Sequence, residues 1–102
     1  MPASKFDNLG VEFARMTSFQ RDILRVLLRL EEPYGLEIKE SLEQMRDMKV
    51  NHGRLYPNLD KLVEGGYIEK GERDKRTNWY SLTEKGREAM SQYGQHDKLF
   101  KD

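Results

Sequence analysis

From Thr17 onward, apolar residues recur at helical spacing. Phe19, Ile23, Val26, Leu27 and Leu30 form one stripe, and Leu24 and Leu28 add a second beside it. At ~100° per residue the combined apolar arc covers about 200°, wider than the stripe of an ordinary surface helix. Burial on two sides is therefore expected. One side would face the chain's own core and the other an identical subunit, with Phe19, Leu24 and Leu28 at the interface. Thr17-x-x-Gln20 predicts a capping box at the start, with Met16 as the apolar residue before it. Arg21, Arg25 and Arg29 take the remaining side and predict a solvated face. Glu32-Pro33 ends the helix, because the residue before proline avoids the α region, and Gly35 permits the turn.

A second helix is predicted from about Leu36 to Met45. Its exposed side carries Glu37, Glu40 and Glu43, which argues against that face touching nucleic acid. Asn51 is a good N-cap for a third helix, "HGRLYPNLDKLVEG". Leu55, Leu59 and Leu62 share one face, and Gly65-Gly66 closes it. Pro57 removes an amide bond and predicts a loose or bent start. Two strands follow, Tyr67 to Lys70 and Trp79 to Leu82, with Ile68, Tyr80 and Leu82 inward and Tyr67, Glu69, Trp79 and Ser81 outward. Thr83 caps a fourth helix whose apolar side holds Ala89, Met90 and Tyr93; Met90 and Tyr93 are expected at the subunit interface. Leu99 and Phe100 suggest further packing. Residues 1–15 show no sustained period, yet Phe6, Leu9, Val11 and Phe13 predict an arm with a short helix that docks on something.

The predicted fold is mainly α with a small β-hairpin, in the order α-α-α-β-β-α. Helices two and three, joined by a short turn, suit a helix-turn-helix, and the hairpin directly after them is a wing. Residues 1–15 form the N-terminal arm, 16–83 the winged helix-turn-helix and 84–102 a dimerisation helix. A two-residue turn would close the hairpin. Here Gly71 to Thr77 intervene, and Arg73, Lys75 and Arg76 sit at the tip, where a polyanion could meet them.

Composition narrows the function. Only 36% of the 102 residues are hydrophobic and 35% are charged, a thin core that a second copy would help to complete. The formal net charge is zero, so a nucleic-acid face must come from local segregation. From Arg46 to Ser81 eight basic residues stand against six acidic ones; from Glu31 to Gln44 one stands against five. Cysteine is absent, and His52 and His96 lack ligand spacing, so no metal or cofactor is expected. No apolar run approaches the ~20 residues of a membrane span, and a cytoplasmic protein is expected. No nucleophile-base-orienter set is visible, which argues against an enzyme.

"VNHGRLYPNLDKLVEGGYIEKGERDKRTNWYSLTEKG" resembles the recognition helix and wing of PadR-like winged-helix transcription regulators. The likeness rests on Gly53, Leu55, Tyr56, Leu59, Leu62 and Gly66-Tyr67-Ile68, then on Arg76, Tyr80, Leu82-Thr83 and Gly86. "FQRDILRVLLRLEEPYGLEIKE" is similar to the family's first two helices, and the match runs over about residues 17 to 90. It is nearest to short archaeal members, although the neutral charge balance lacks the acid excess of a halophile protein. Pro57-Asn58 departs from the family, which commonly has a basic or neutral residue after the Tyr.

The resemblance implies a homodimeric, sequence-specific DNA-binding regulator, a repressor, with the helix of about 51–64 in the major groove and wing 71–77 on the backbone or minor groove. Its partner would be double-stranded DNA with an inverted-repeat operator, and a small-molecule effector is possible. Asn51, His52 and Gly53 would face a phosphate. Arg54 would read a guanine edge or hold a phosphate. Tyr56 is expected to give its hydroxyl to a phosphate, as in the family, and Asn58 and Lys61 to touch bases or phosphates. Lys70, Arg73, Lys75, Arg76 and Thr77 would contact DNA from the wing. Trp79 is expected to pack at the sheet face. The alternative is a winged helix that binds only protein.

Overall fold

The computed structural model describes residues 8–73 and 77–100, with side chains described as far as Tyr93. The order is α1 (Leu9–Arg15), α2 (Ser18–Arg29), α3 (Gly35–Arg46), α4 (His52–Glu64), β1 (Ile68–Glu72), β2 (Asn78–Leu82) and α5 (Glu84–Phe100). This is the expected winged helix with one helix more at its start. Phe6, Lys75 and Arg76 lie outside the described residues, as do the side chains of Leu99 and Phe100.

The middle position belongs to α2, which packs against α3, α4, β2 and α5. Its capping box forms as the sequence predicts: Thr17 Oγ1 accepts from the Gln20 N–H at 3.1 Å, and Gln20 Oε1 accepts from the Thr17 N–H at 3.2 Å. Most of both apolar stripes is buried, and the same chain covers it. Phe19 is 1% and Leu24 0% exposed, so neither offers surface to a second subunit; Leu28, at 57%, does. The arginine stripe is likewise largely committed. Arg21 Nη1 donates to the carbonyls of Ala14 and Met16, closing the end of α1 at 3.0 and 2.8 Å. Arg25 pairs with Asp22 at 2.9 Å and lies 5.9 Å over the Phe13 ring. Arg29 stays exposed.

The expected arm docks within the chain. α1 packs along α5, burying Leu9 and Phe13. The Phe13 and Tyr93 rings lie 4.9 Å apart, and the Gly10 N–H donates to Gln92 Oε1 at 2.9 Å. Glu12 faces the Tyr67 hydroxyl, whose pKa is raised by burial and then by that carboxylate.

The antiparallel hairpin pairs from Ile68↔Leu82 to Glu72↔Asn78. Ile68, Tyr80 and Leu82 point inward as expected. Tyr67, expected outward, is buried instead: it precedes β1, outside the alternation, and its ring packs beneath the Lys85 ammonium at 4.6 Å. Trp79 covers its partner Gly71, where a side chain would collide with the indole. On its other side β2 meets the α2–α3 link, through a Tyr34↔Trp79 bridge and a Tyr80 N–H bond to the Pro33 carbonyl at 3.0 Å. Thr83 caps α5, its Oγ1 accepting from the Gly86 N–H at 3.1 Å and donating to the Gly66 carbonyl at 2.6 Å.

The turn between α3 and α4 is held by a carboxylate. Asp47 closes α3 in the left-handed region at φ 53°, a conformation that aspartate tolerates better than most residues. Glu43 Oε2 then accepts from the Val50 N–H at 2.9 Å. That bond, aided by Lys39 and Lys49 and opposed by burial, holds the Glu43 pKa below its usual 4.5. A depressed carboxyl pKa adds stability that is full above the unfolded value and lost as pH falls through the folded one. Glu43→Gln should therefore lower the melting temperature at neutral pH. The gap from wild type should close in acid, below pH 4.5. Thermal unfolding followed across that range checks it; a gap that persists unchanged in acid would exclude this role for Glu43.

Candidate nucleic-acid interface

The helix-turn-helix formed by α3 and α4 presents α4 outward. Leu55, Leu59 and Leu62 anchor its inner face. On its outer face Asn51, His52, Gly53, Arg54, Tyr56 and Lys61 are all exposed. Asn51 caps the helix as expected, its Oδ1 accepting from the Arg54 N–H at 2.8 Å. The predicted loose start does not occur, for α4 runs unbroken from His52 to Glu64 through Pro57. Proline deprives only the Gly53 carbonyl of its amide, and that carbonyl lies in an exposed first turn where water can serve it. Gly53 itself has open space before it: an added Cβ would find only Asn51 Oδ1, at 3.5 Å. His52 and Tyr56, one turn apart, bring their rings to 5.6 Å.

Two candidate readers lean back on α2. The Arg54 guanidinium sits 4.0 Å over the Phe19 ring. Asn58 is half-buried, with its Oδ1 accepting from Gln20 Nε2 at 3.0 Å and its Nδ2 donating to the Arg54 carbonyl at 2.8 Å. Arg46, counted in the basic half of the sequence, is bound to Asp22 at 2.7 Å, with only 18% of its side chain exposed. It adds little to an outward field.

Between the start of α3, Tyr56 and the wing lies a cleft of about 600 Å³, lined by Tyr34, Gly35, Leu36, Tyr56, Thr77, Asn78 and Tyr80. Gly35 makes room for the Tyr56 ring, since a Cβ there would stand 2.5 Å from its hydroxyl oxygen. Burial raises the Tyr80 pKa, with Tyr56 and Asp60 adding to the effect, so this phenol stays protonated at neutral pH. Sequence reasoning read Tyr34-Gly35 only as a turn and Tyr80 only as core. No local signal marks Gly35 as the neighbour of Tyr56, because the two lie far apart in sequence.

In the wing, the Arg73 N–H donates to the Thr77 carbonyl at 3.0 Å and closes the loop. The Arg73 guanidinium lies 5.5 Å over the Tyr34 ring, on the side of the cleft. Lys70 is exposed, and Thr77 is half-buried at the cleft. The structure thus gathers Tyr56 and Thr77 around one opening, with Arg73 over the Tyr34 ring of its wall and Arg54 and Asn58 on the α2 side of α4. Of the residues expected between subunits, Met90 and Tyr93 are half-buried and Leu28 is open. Among the described residues no group of three or more His, Cys, Asp or Glu could hold a metal ion, and no helix is long and apolar enough to cross a membrane.

Known proteins share this architecture. A solved structure of RosR from the archaeon H. salinarum, grown from NaBr, is 49% identical, with a TM-score of 0.76 over 86% of this chain and 81% of that one. A complex structure of hsRosR-S4 is 46% identical, with a TM-score of 0.80 over 92% of this chain and 83% of that one. More distant is the zinc-responsive MarR family member ZitR of Lactococcus lactis, 26% identical, with a TM-score of 0.64 over 83% of this chain and 56% of that one. No protein of curated function matches the chain. The sequence profile of the Transcriptional regulator PadR-like family matches residues 23–92. With the helix-turn-helix, the wing and the start of α5 all inside that match, the chain belongs to the PadR-like family of transcriptional regulators.

Proposed function

We propose that the protein is a homodimeric DNA-binding transcription regulator in which α4 enters the major groove and the wing lies along the neighbouring backbone. It acts in the cytoplasm. The observation that carries this reading is the outer face of α4: a capped helix start, a glycine with open space before it, and Arg54, Tyr56 and Lys61 exposed in succession. Asn51, His52 and Gly53 stand where helix-start amides meet a phosphate. Tyr56 supplies a hydroxyl to the same backbone, and Arg54 reads a guanine, because its planar fork matches O6 and N7. Stacking on Phe19 leaves the guanidinium N–H donors for that partner. Lys61 adds a further contact. A zinc response like that of ZitR would find no group of three or more His, Cys, Asp or Glu to rest on among the described residues. For the second subunit, exposed Leu28 and Val11, with Met90 and Tyr93, offer the apolar surface.

Selection of duplexes from a random pool by the intact protein tests the reading. An inverted repeat should emerge, with half-site centres about 10 base pairs, or a multiple, apart. A pool that returns no preferred sequence would sink it, and retention on protein partners alone would favour the protein-binding alternative. On the selected site, Arg54→Ala should cost ~1–3 kcal/mol while scrambled DNA is bound nearly as before. Tyr56→Phe should weaken both, since phosphates carry no sequence information.

The wing makes a separate prediction. Replacing Arg73, Lys75 and Arg76 with Ala should weaken all duplexes alike. It should also flatten the dependence of log K on log salt, by roughly 0.9 for each phosphate that the wing no longer neutralises. Binding titrations at several salt concentrations measure that slope. An unchanged slope means that the wing does not touch DNA.

A further inference from the structure

The first turn of α2 holds two outward side chains of α4. Phe19 underlies the Arg54 guanidinium, and the next residue, Gln20, divides its amide between two helices. Gln20 Oε1 accepts from the Thr17 N–H at 3.2 Å, while Nε2 donates to Asn58 Oδ1 at 3.0 Å. Asn58 Nδ2 donates onward to the Arg54 carbonyl at 2.8 Å, and the Arg54 N–H is held by Asn51 Oδ1 at 2.8 Å. One run of polar groups therefore reaches from the cap of α2 to the cap of α4. Each link has a direction. Because the Thr17 N–H claims the Gln20 oxygen, only the NH₂ remains for Asn58. Asn58 must meet it with oxygen, which turns its own NH₂ toward Arg54.

We propose that Gln20 is a positioning residue for DNA recognition: it fixes the Asn58 amide and, through it, the turn of α4 that carries Arg54. The inference rests on the DNA-binding reading above. Gln20 touches no base in this role. Asn58, with both polar ends engaged inside the protein, acts on sequence preference through Arg54 rather than as a reader. Sequence selectivity is then set partly from α2, a helix outside the helix-turn-helix pair.

A charge-changing substitution separates this role from simple capping. Gln20→Glu keeps the capping box, since a carboxylate accepts from the Thr17 N–H and suits the first turn of a helix. It has no proton for Asn58, so the Asn58 amide must turn over and release the Arg54 carbonyl. The melting temperature should hold or rise. Affinity for the selected operator, relative to a scrambled duplex of equal length, should fall about fivefold or more. An added negative charge alone would weaken both duplexes alike, so the ratio isolates the effect. Asn58→Ala should lower the same ratio, and adding Gln20→Ala to it should lower the ratio no further. A Gln20→Glu ratio equal to wild type, or losses that add in the double variant, would overturn the proposal. A wild-type protein without sequence selectivity is a different result, and defeats the DNA-binding reading itself. If Gln20→Ala fails to fold, Gln20→Glu combined with Asn58→Ala completes the cycle.

Discussion

The burial of α2 on nearly every side is the constraint from which the remaining geometry follows. Phe19, Ile23, Leu24, Val26 and Leu27 are all inside, and each such side chain contributes about 1.5–3 kcal/mol when fully buried. In a chain with a thin apolar content, that one helix supplies a large share of the driving force. The other elements are placed by reaching it: α3 and α4 from one side, β2 and α5 from others. The outer face of α4 inherits its orientation from the core in this direct sense. The Phe19 ring that fills the interior also meets Arg54 at the surface.

Charge is arranged to serve that packing before it serves any partner. Asp22 binds Arg25 at 2.9 Å and Arg46 at 2.7 Å, tying the middle of α2 to the end of α3. The Arg46 guanidinium also lies 5.3 Å over Phe19, and its Nε is buried with no hydrogen-bond partner among the described residues. Breaking this set from the Asp22 side would leave two cations facing each other, one of them largely enclosed. The basic groups free to meet a polyanion are consequently fewer than the sequence count suggests. On the outer face of α4 and the described part of the wing, those exposed are Arg54, Lys61, Lys70 and Arg73.

Much of the fold was legible because local signals and tertiary demands agree. Thr17-x-x-Gln20 and Asn51 cap the helices where their spacing predicts, and the inward residues of the hairpin follow from alternation. Legibility failed where one residue type serves two ends. The wide apolar arc of α2 signalled burial on two sides, but nothing in its spacing distinguishes a second subunit from α3, α4, β2 and α5 of the same chain. Arg21 and Arg25 looked like a solvated stripe, because a carbonyl or an aspartate waiting for them leaves no periodic trace. Tyr67 stands one residue before the strand, so the period-two rule does not govern it. At the candidate site the cap, Arg54, Tyr56 and Lys61 were readable from the third helix alone. The links from Gln20 to Asn58 and from Gly35 to Tyr56 join residues distant in sequence, and only folding brings them together.

The hairpin's attachment leaves an asymmetry between its two strands. β2 is flanked on one side by β1 and on the other by Tyr34, so its backbone groups are largely engaged. The outer edge of β1 pairs with no other strand among the described residues. An open edge is a template for strand addition, and charged side chains blunt it. Glu69, Lys70 and Glu72 occupy three of the five positions of β1, and Trp79 leans over the one glycine among them. A second chain approaching that edge would have to bury alternating charges of both signs. The wing can therefore project from the body and stay accessible without inviting edge-to-edge aggregation.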